Sequence, residues 1–317
     1  MPAPLTLVFC GTPAFAVPTL EKLVEAGFSV ALVVTQPDRP RGRGMELALS
    51  PVKQRSLELG LQVSQPDKIR NNEEFCGQLE RIAPDAIIVV GYGRIIPPWM
   101  INLPPLGNLN LHASLLPKYR GAAPIQWAIA HGESVTGVTT MRIDAGLDTG
   151  DILLQEEIPI APEDTALTLA PRMAAAGAVL MVETLRGLQA GTVRPQPQDN
   201  SKATLAPILK KEDGQVDFQL TAREVLNRLR GFQPWPGAYT SFRGKNLHLW
   251  AAQPVERVVA ASEVTVESGH LFVGCGAGAL ELLEVQLEGK RRMPAADFIH
   301  GHQPRNGEKL GSLRTGN

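Results

Sequence analysis

The sequence predicts an α/β fold, a doubly wound sheet over residues 1–190, followed by a small β-barrel over 209–317. Three observations point there. Short apolar runs alternate with helical patterns as far as residue 190, the β-α-β rhythm of a parallel sheet covered on both faces. A proline-rich polar stretch without periodicity then occupies 191–208, the texture of a linker. Beyond it, short strand-like segments are separated by glycine turns, as in small barrels. A chain of 317 residues also exceeds what one core usually organises, so two domains are expected.

Taken in order, LTLVFCG (5–11), SVALVVTQ (29–36), LQVSQ (61–65), DAIIVVGYG (85–93) and GNLNLHAS (107–114) read as strands. Several are apolar on both faces, as a covered parallel sheet requires. Between them lie helical patterns at 13–27, 50–60 and 72–84, with Ser50 at an N-cap and Pro51 in the first turn. APIQWAIAHG (123–132) is a further helix, and a long one over 164–190 closes the half. In the second half, TAREVLNRLRGF (221–232) is amphipathic, and strands are expected within 238–244, 245–255, 262–269, 270–278 and 279–292. FQPWPGAY (232–239) reads as a rigid turn with Trp235 packed at the domain junction.

Composition excludes several classes. A hydrophobic content of 44% with 20% charged residues is that of a globular chain, not a disordered one. The net charge of −1, divided as −3 over 1–204 and +2 over 205–317, gives no global basic signal, so contact with nucleic acid must come from local patches. Cys10, Cys76 and Cys275 are far apart, without a C-x-x-C pair, which argues against a disulfide framework or a zinc site and fits a reducing cytoplasm. No metal is expected. The N-terminus lacks the basic region of a signal peptide, and neither a membrane span nor a membrane partner is expected. FCGTPAFAVP carries one glycine where a dinucleotide fingerprint needs three, and the G-x-G-x-x-A match at 274–279 precedes a strand rather than a helix.

The chemistry concentrates in two places. In NLHASLLPKYRG (110–121), Asn110 and His112 are two apart in a strand and share a face, near the carboxyl end where doubly wound sheets bind ligands. In MRIDAGLDTGDIL (141–153), Asp144, Asp148 and Asp151 crowd a glycine-rich turn. A carboxylate near an imidazole tunes and orients it, and an amide beside them can donate to a developing oxyanion. The set suits acyl transfer to an amine supplied by a substrate, because it holds no nucleophile of its own. A structural histidine and an Asx-turn remain the plain alternatives. The acid spacing misses the calcium-loop pattern.

VFCGTPAFAVPTLEKL (8–23), VVTQPDRPRGRG (33–44), NLHASLLPKYRGAAPIQWAI (110–129) and TGVTTMRIDAGLDTGDIL (136–153) together resemble the methionyl-tRNA formyltransferases, within the 10-formyltetrahydrofolate-dependent formyltransferase superfamily, over nearly the whole chain. The resemblance implies a Rossmann-like catalytic domain and an OB-like C-terminal barrel that docks along tRNA. It implies Asn110, His112 and Asp148 as the catalytic set and the run Ser114, Leu115, Leu116, Pro117 against the folate. It also implies 10-formyltetrahydrofolate as co-substrate and initiator methionyl-tRNA as acceptor, in a monomer serving translation initiation. Tyr92, Gly93, Arg94 and Ile95 offer backbone amides and apolar walls for the folate, with Asp144 from the facing loop. The resemblance further sends the arginine loop of Arg39, Arg41 and Arg43 to the acceptor end, with Arg43 as its main contact. Lys210, Lys211, Arg243, Lys245, Lys290, Arg291 and Arg292 are candidate contacts to the tRNA backbone. A related formyltransferase acting on a sugar nucleotide or on glycinamide ribonucleotide is the alternative.

Overall fold

The computed structural model describes residues 4–41 and 46–311, with the backbone alone for 40, 41, 46 and 47. Seven strands make the first sheet: β1 (Thr6–Gly11), β2 (Ser29–Val34), β5 (Val63–Ser64), β6 (Ala86–Val90), β7 (Asn108–His112), β8 (Val135–Arg142) and β9 (Ile152–Pro159). Two short strands, β3 (Arg39–Arg41) and β4 (Glu46–Ala48), pair with each other at the root of the arginine loop. The sheet order is β5-β2-β1-β6-β7-β8-β9. The first five strands run parallel, whereas β8 and β9 are antiparallel to their neighbours. The sheet is therefore mixed rather than wholly parallel. The turn from Arg142 to Ile152 is too short for the crossover that parallel neighbours need.

Helices α1 (Val17–Glu25), α2 (Pro51–Glu58), α3 (Glu73–Ile82), α4 (Pro98–Ile101), α5 (Pro124–Ala130) and α6 (Ala166–Ala190) follow the expected order. Ser50 caps α2 by accepting from the Lys53 amide at 3.1 Å, as its place before Pro51 predicted. Asn72 caps α3 in the same way through Phe75. α6 is long and apolar enough, by length and composition, to span a bilayer, and half of its most apolar window is buried inside the protein. Because β1 leads to β2 on one side and β6 lies on the other, the winding reverses between β1 and β6. That reversal opens a crevice at the carboxyl ends of these two strands.

The second sheet is antiparallel, ordered β10 (Ala238–Phe242), β11 (Lys245–Val255), β14 (Ala279–Leu287), β13 (His270–Gly274), β12 (Val264–Glu267), with β15 (Met293–Pro294) beside β14. α7 (Ala222–Gly231) begins in a Thr221/Glu224 capping box and buries Val225, Leu226 and Leu229 in this sheet's core. α8 (Ala295–His302), which periodicity did not reveal, adds Phe298 against Phe242 at 5.1 Å between ring centroids. The segment 274–279 runs into β14, so a strand and not a helix follows its glycines. Trp235 departs from expectation: it is 56% exposed. The packed aromatic of that turn is instead Phe232, fully buried edge-on to Trp127 at 5.2 Å.

The chain forms two compact units, one of residues 1–121, 135–159 and 170–206, the other of 122–134, 160–169 and 207–317. The segment 191–206 thus packs as part of the first unit, and α5 as part of the second, where it lies against α7.

Candidate active site

β7 carries Asn108, Asn110 and His112 on one face, and the structure separates their tasks. Asn108 is buried and donates to the carbonyls of Met100 (2.7 Å) and Ile101 (3.1 Å), closing the end of α4. Asn110 is half-buried, opposite Val89 near the end of β6, and its carboxamide makes no hydrogen bond within the described residues. An amide in that position is available to a ligand.

His112 is 6% exposed, and its two nitrogens are distinguished by their partners. Nε2 lies 2.9 Å from the Tyr119 carbonyl. A carbonyl only accepts, so Nε2 carries a proton there, and Nδ1 is the nitrogen at which a proton can come and go. Nδ1 faces Asp148 Oδ2 at 3.6 Å. The register of β7 against β8, His112 beside Thr139, brings the loop after β8 back over the imidazole. Asp148 stands in the left-handed region at φ 52°, as does Tyr119 at 62°. Such conformations cost a non-glycine residue roughly 1–3 kcal/mol and persist only where the surroundings impose them.

Several hydrogen bonds impose them. The Gly121 amide donates to Asp148 Oδ2 at 2.8 Å. Gln198 Nε2 donates to the carbonyls of Asp148 (2.9 Å) and Gly150 (2.7 Å). The Gln198 Oε1 accepts from Arg120 Nε and Nη2 at 3.1 and 2.7 Å. A Cβ on Gly150 would lie 1.9 Å from the Arg142 carbonyl, so the loop closes only with glycine there. Gln198, Arg120 and Thr204 were missed by sequence reasoning, because Gln198 and Thr204 meet backbone atoms of the site, Arg120 meets side chains 78 and 80 positions away, and none follows a period.

A cavity of about 910 Å³ opens at the reversal between β1 and β6. Pro13, Ala14, Pro37 and Leu49 give it apolar walls, while Thr12, Gln36, Arg39 and Arg94 line it with polar groups. Tyr92 and Gly93 line it too. The Tyr92 side chain points inward, 2% exposed, with burial pushing its phenol well above the ordinary range and no partner for its hydroxyl among the described residues. The Tyr92 carbonyl accepts from Gln36 Nε2 at 3.0 Å, and Gln36 Oε1 accepts from Arg94 Nε at 3.0 Å. The Arg94 guanidinium also meets the Asp67 carbonyl, so it is partly engaged. Ile95 projects outward, 91% exposed.

The run 114–117 is folded inward. Ser114, fully buried, donates to the Lys118 carbonyl at 2.6 Å, and Leu116 is 3% exposed with its amide on Thr139 Oγ1. Leu115 lies over Gly137, and only Leu115 and Pro117 keep partial exposure. Asp144 is exposed and accepts from the Gly146 amide and Thr149 Oγ1 at 3.0 and 2.7 Å, an Asx-turn that shapes the loop. Lys210, Lys211, Lys245, Lys290 and Arg291 are exposed. Arg292 pairs with Glu284 and lies over Trp250 at 5.1 Å. Arg243 is committed to Glu308 and to the carbonyls of His302 and Gln303. Arg39 is exposed at the cavity rim, whereas Arg43 and the side chain of Arg41 lie outside the described residues.

Comparison with known proteins identifies the family. A formyl transferase family model matches residues 5–185, and a model of the formyl transferase C-terminal domain matches 208–303. The methionyl-tRNA formyltransferase of Koribacter versatilis is 66% identical over 98% of this chain and 99% of its own, and that of Caldanaerobacter subterraneus is 47% identical over 94% and 97%. Among solved structures, an N-formyltransferase from Helicobacter canadensis, crystallised with folinic acid and dTDP-3-aminofucose, superposes with a TM-score of 0.66 at 20% identity, covering 88% of this chain and 98% of its own. A sugar 3N-formyl transferase solved with dTDP and 5-N-formyl-THF gives the same score at 18% identity, over 91% and 100%. At those identities the likeness is one of fold.

Proposed function

The chain belongs to the formyl transferase family, and from that premise we propose that it transfers the formyl group of 10-formyltetrahydrofolate to the α-amino group of initiator methionyl-tRNA. The products are formylmethionyl-tRNA and tetrahydrofolate. The observation that carries the chemistry is the His112–Asp148 pair at 3.6 Å on the strand that also presents an unengaged Asn110.

In this reading the amine lone pair attacks the formyl carbon and the carbonyl electrons move to oxygen. Asn110 Nδ2–H and the proton on His112 Nδ1 stabilise that oxyanion. Asp148 holds the imidazolium and receives the proton that the attacking nitrogen sheds, directly or through one water. Collapse of the tetrahedral intermediate re-forms the carbonyl and breaks the bond to the folate nitrogen, which leaves with the proton that Asp148 received. No protein nucleophile takes part.

The cavity of about 910 Å³ falls within the size of small-molecule sites, and its apolar walls and few polar groups suit a flat heterocycle. The folate side is formed by Tyr92, Gly93 and Arg94, with Ile95 turned to the outside, Ser114, Leu115, Leu116 and Pro117 supporting it mainly through backbone, and Asp144 beyond. The aminoacyl end enters past Arg39, Arg41 and Arg43. A catalytic domain of 1–190 and a tRNA-binding domain of 209–317 divide the work, joined by 191–208, of which 191–206 packs with the first unit, and Lys210, Lys211, Lys290, Arg291 and Arg292 meet tRNA phosphates. Cytoplasmic, monomeric action follows from the same reading.

The test is an assay with purified protein, 10-formyltetrahydrofolate and methionyl-tRNA of the initiator or elongator type. Formylation of the initiator form supports the proposal. Formylation of glycinamide ribonucleotide or an amino-sugar nucleotide in its place would overturn it.

A further inference from the structure

We propose that residues 196–206 are a brace that positions the His112–Asp148 pair, with Gln198 as its central positioning residue. The inference rests on the reading of that pair as catalytic.

The brace is built from both ends. At its start, Gln196 exchanges two backbone hydrogen bonds with Ile152, just beyond the Asp148 loop, each of 2.8 Å. At its end, Thr204 Oγ1 accepts from the Tyr119 amide at 2.9 Å, the Thr204 carbonyl accepts from the Arg120 amide at 2.8 Å, and the Ala206 amide donates to the Arg120 carbonyl at 2.7 Å. The Tyr119 residue held this way is the one whose carbonyl fixes His112 Nε2. Gln198, between the two ends, binds the carbonyls of Asp148 and Gly150. One segment therefore sets the imidazole from one side and the carboxylate from the other.

The orientation of the Gln198 amide is determined. Its oxygen faces the Arg120 guanidinium, which is 7% exposed and also reaches Asn200 Oδ1 at 2.8 Å. Arginine has no acceptor, so the oxygen must face it and the NH₂ must face the two carbonyls. Glutamate at 198 would keep the arginine and lose both donations, setting a carboxylate against two carbonyls. A Cβ at Gly121 would lie 2.6 Å from the Ala206 carbonyl, so brace and catalytic loop meet backbone to backbone.

The experiment is a double-mutant cycle on the full-length enzyme. Gln198→Glu should lower kcat for methionyl-tRNA formylation by roughly 10–100-fold, the cost of a misplacement near 1 Å, with both KM values within about twofold. In an Asp148→Asn background the same change should cost less than about threefold, because a residue acting through Asp148 has nothing left to position. Thr204→Val, which removes only the side-chain acceptor, should reduce kcat in the same direction and serves if Gln198→Glu folds poorly. Unchanged kcat in Gln198→Glu and Thr204→Val overturns the brace, as do losses that simply multiply with that of Asp148→Asn. If Asp148→Asn alone keeps full turnover while the native enzyme formylates methionyl-tRNA, the catalytic reading of the pair fails, and the brace with it.

Discussion

Replacement of Asp148 by asparagine isolates charge from shape. Asparagine keeps an oxygen for the Gly121 amide at 2.8 Å, leaves the backbone carbonyl that Gln198 binds, and tolerates φ 52° at least as well. The fold should therefore hold, with a Tm within about 2 °C of the native protein. What disappears is a negative charge 3.6 Å from His112 Nδ1. At an effective dielectric of about 20, that attraction is about 4–5 kcal/mol for a protonated imidazole. The Asp148 side chain keeps 17% exposure, so solvent screening reduces it to about 3–4 kcal/mol. If the imidazolium is needed only as charge develops, the loss falls on kcat and amounts to roughly 10²–10³-fold. Single-turnover formylation at saturating substrate reads this step directly, and filter binding of methionyl-tRNA checks that affinity is kept. A kcat within about threefold of the native value would refute the electrostatic role.

Three further outcomes follow from the same structure. Asn110→Ala removes a carboxamide without hydrogen-bond partners in the described fold, so thermal stability should stay unchanged while turnover falls by about 10²–10³, the usual cost of an oxyanion donor; Tm and kcat measured together check it. In the second unit, burial first and then Lys211 hold His248 below its ordinary value of 6.5, and burial with Arg228 does the same for His131. The unfolded chain then binds more protons below that value, so the stability these residues contribute is complete above pH ~6.5 and is lost as the pH falls through their depressed values; denaturant midpoints from pH 7.5 to 5 should decline, and His248→Gln should flatten the decline. Burial pushes the Cys275 thiol up to about 11 and raises Cys10 further, while Cys76 is partly exposed. Alkylation of the native protein at pH 8 should mark Cys76 first, with Cys10 and Cys275 reacting only after denaturation, as peptide mapping will report.

The sequence by itself determined most of the strands and longer helices and the residue types of the candidate site. Apolar runs such as 86–90, buried throughout, could only be covered strands. The spacing of Asn110 and His112 put both side chains on one face of β7, whereas the strand order that reverses between β1 and β6 was set by the tertiary structure. Tertiary structure decided what depends on partners distant in the chain. The antiparallel turn of β8 brings Asp148 to His112 from 36 positions away, and Gln198 reaches it from 50 positions beyond. Trp235 illustrates the same limit, since its apolar ring invites burial while Phe232 holds the packed place against Trp127. Gln198 left no pattern to read, because its donations go to backbone carbonyls, which every residue carries alike. Periodicity records which side of an element faces the core, whereas hydrogen bonds to main-chain oxygens depend only on where the chain arrives in space.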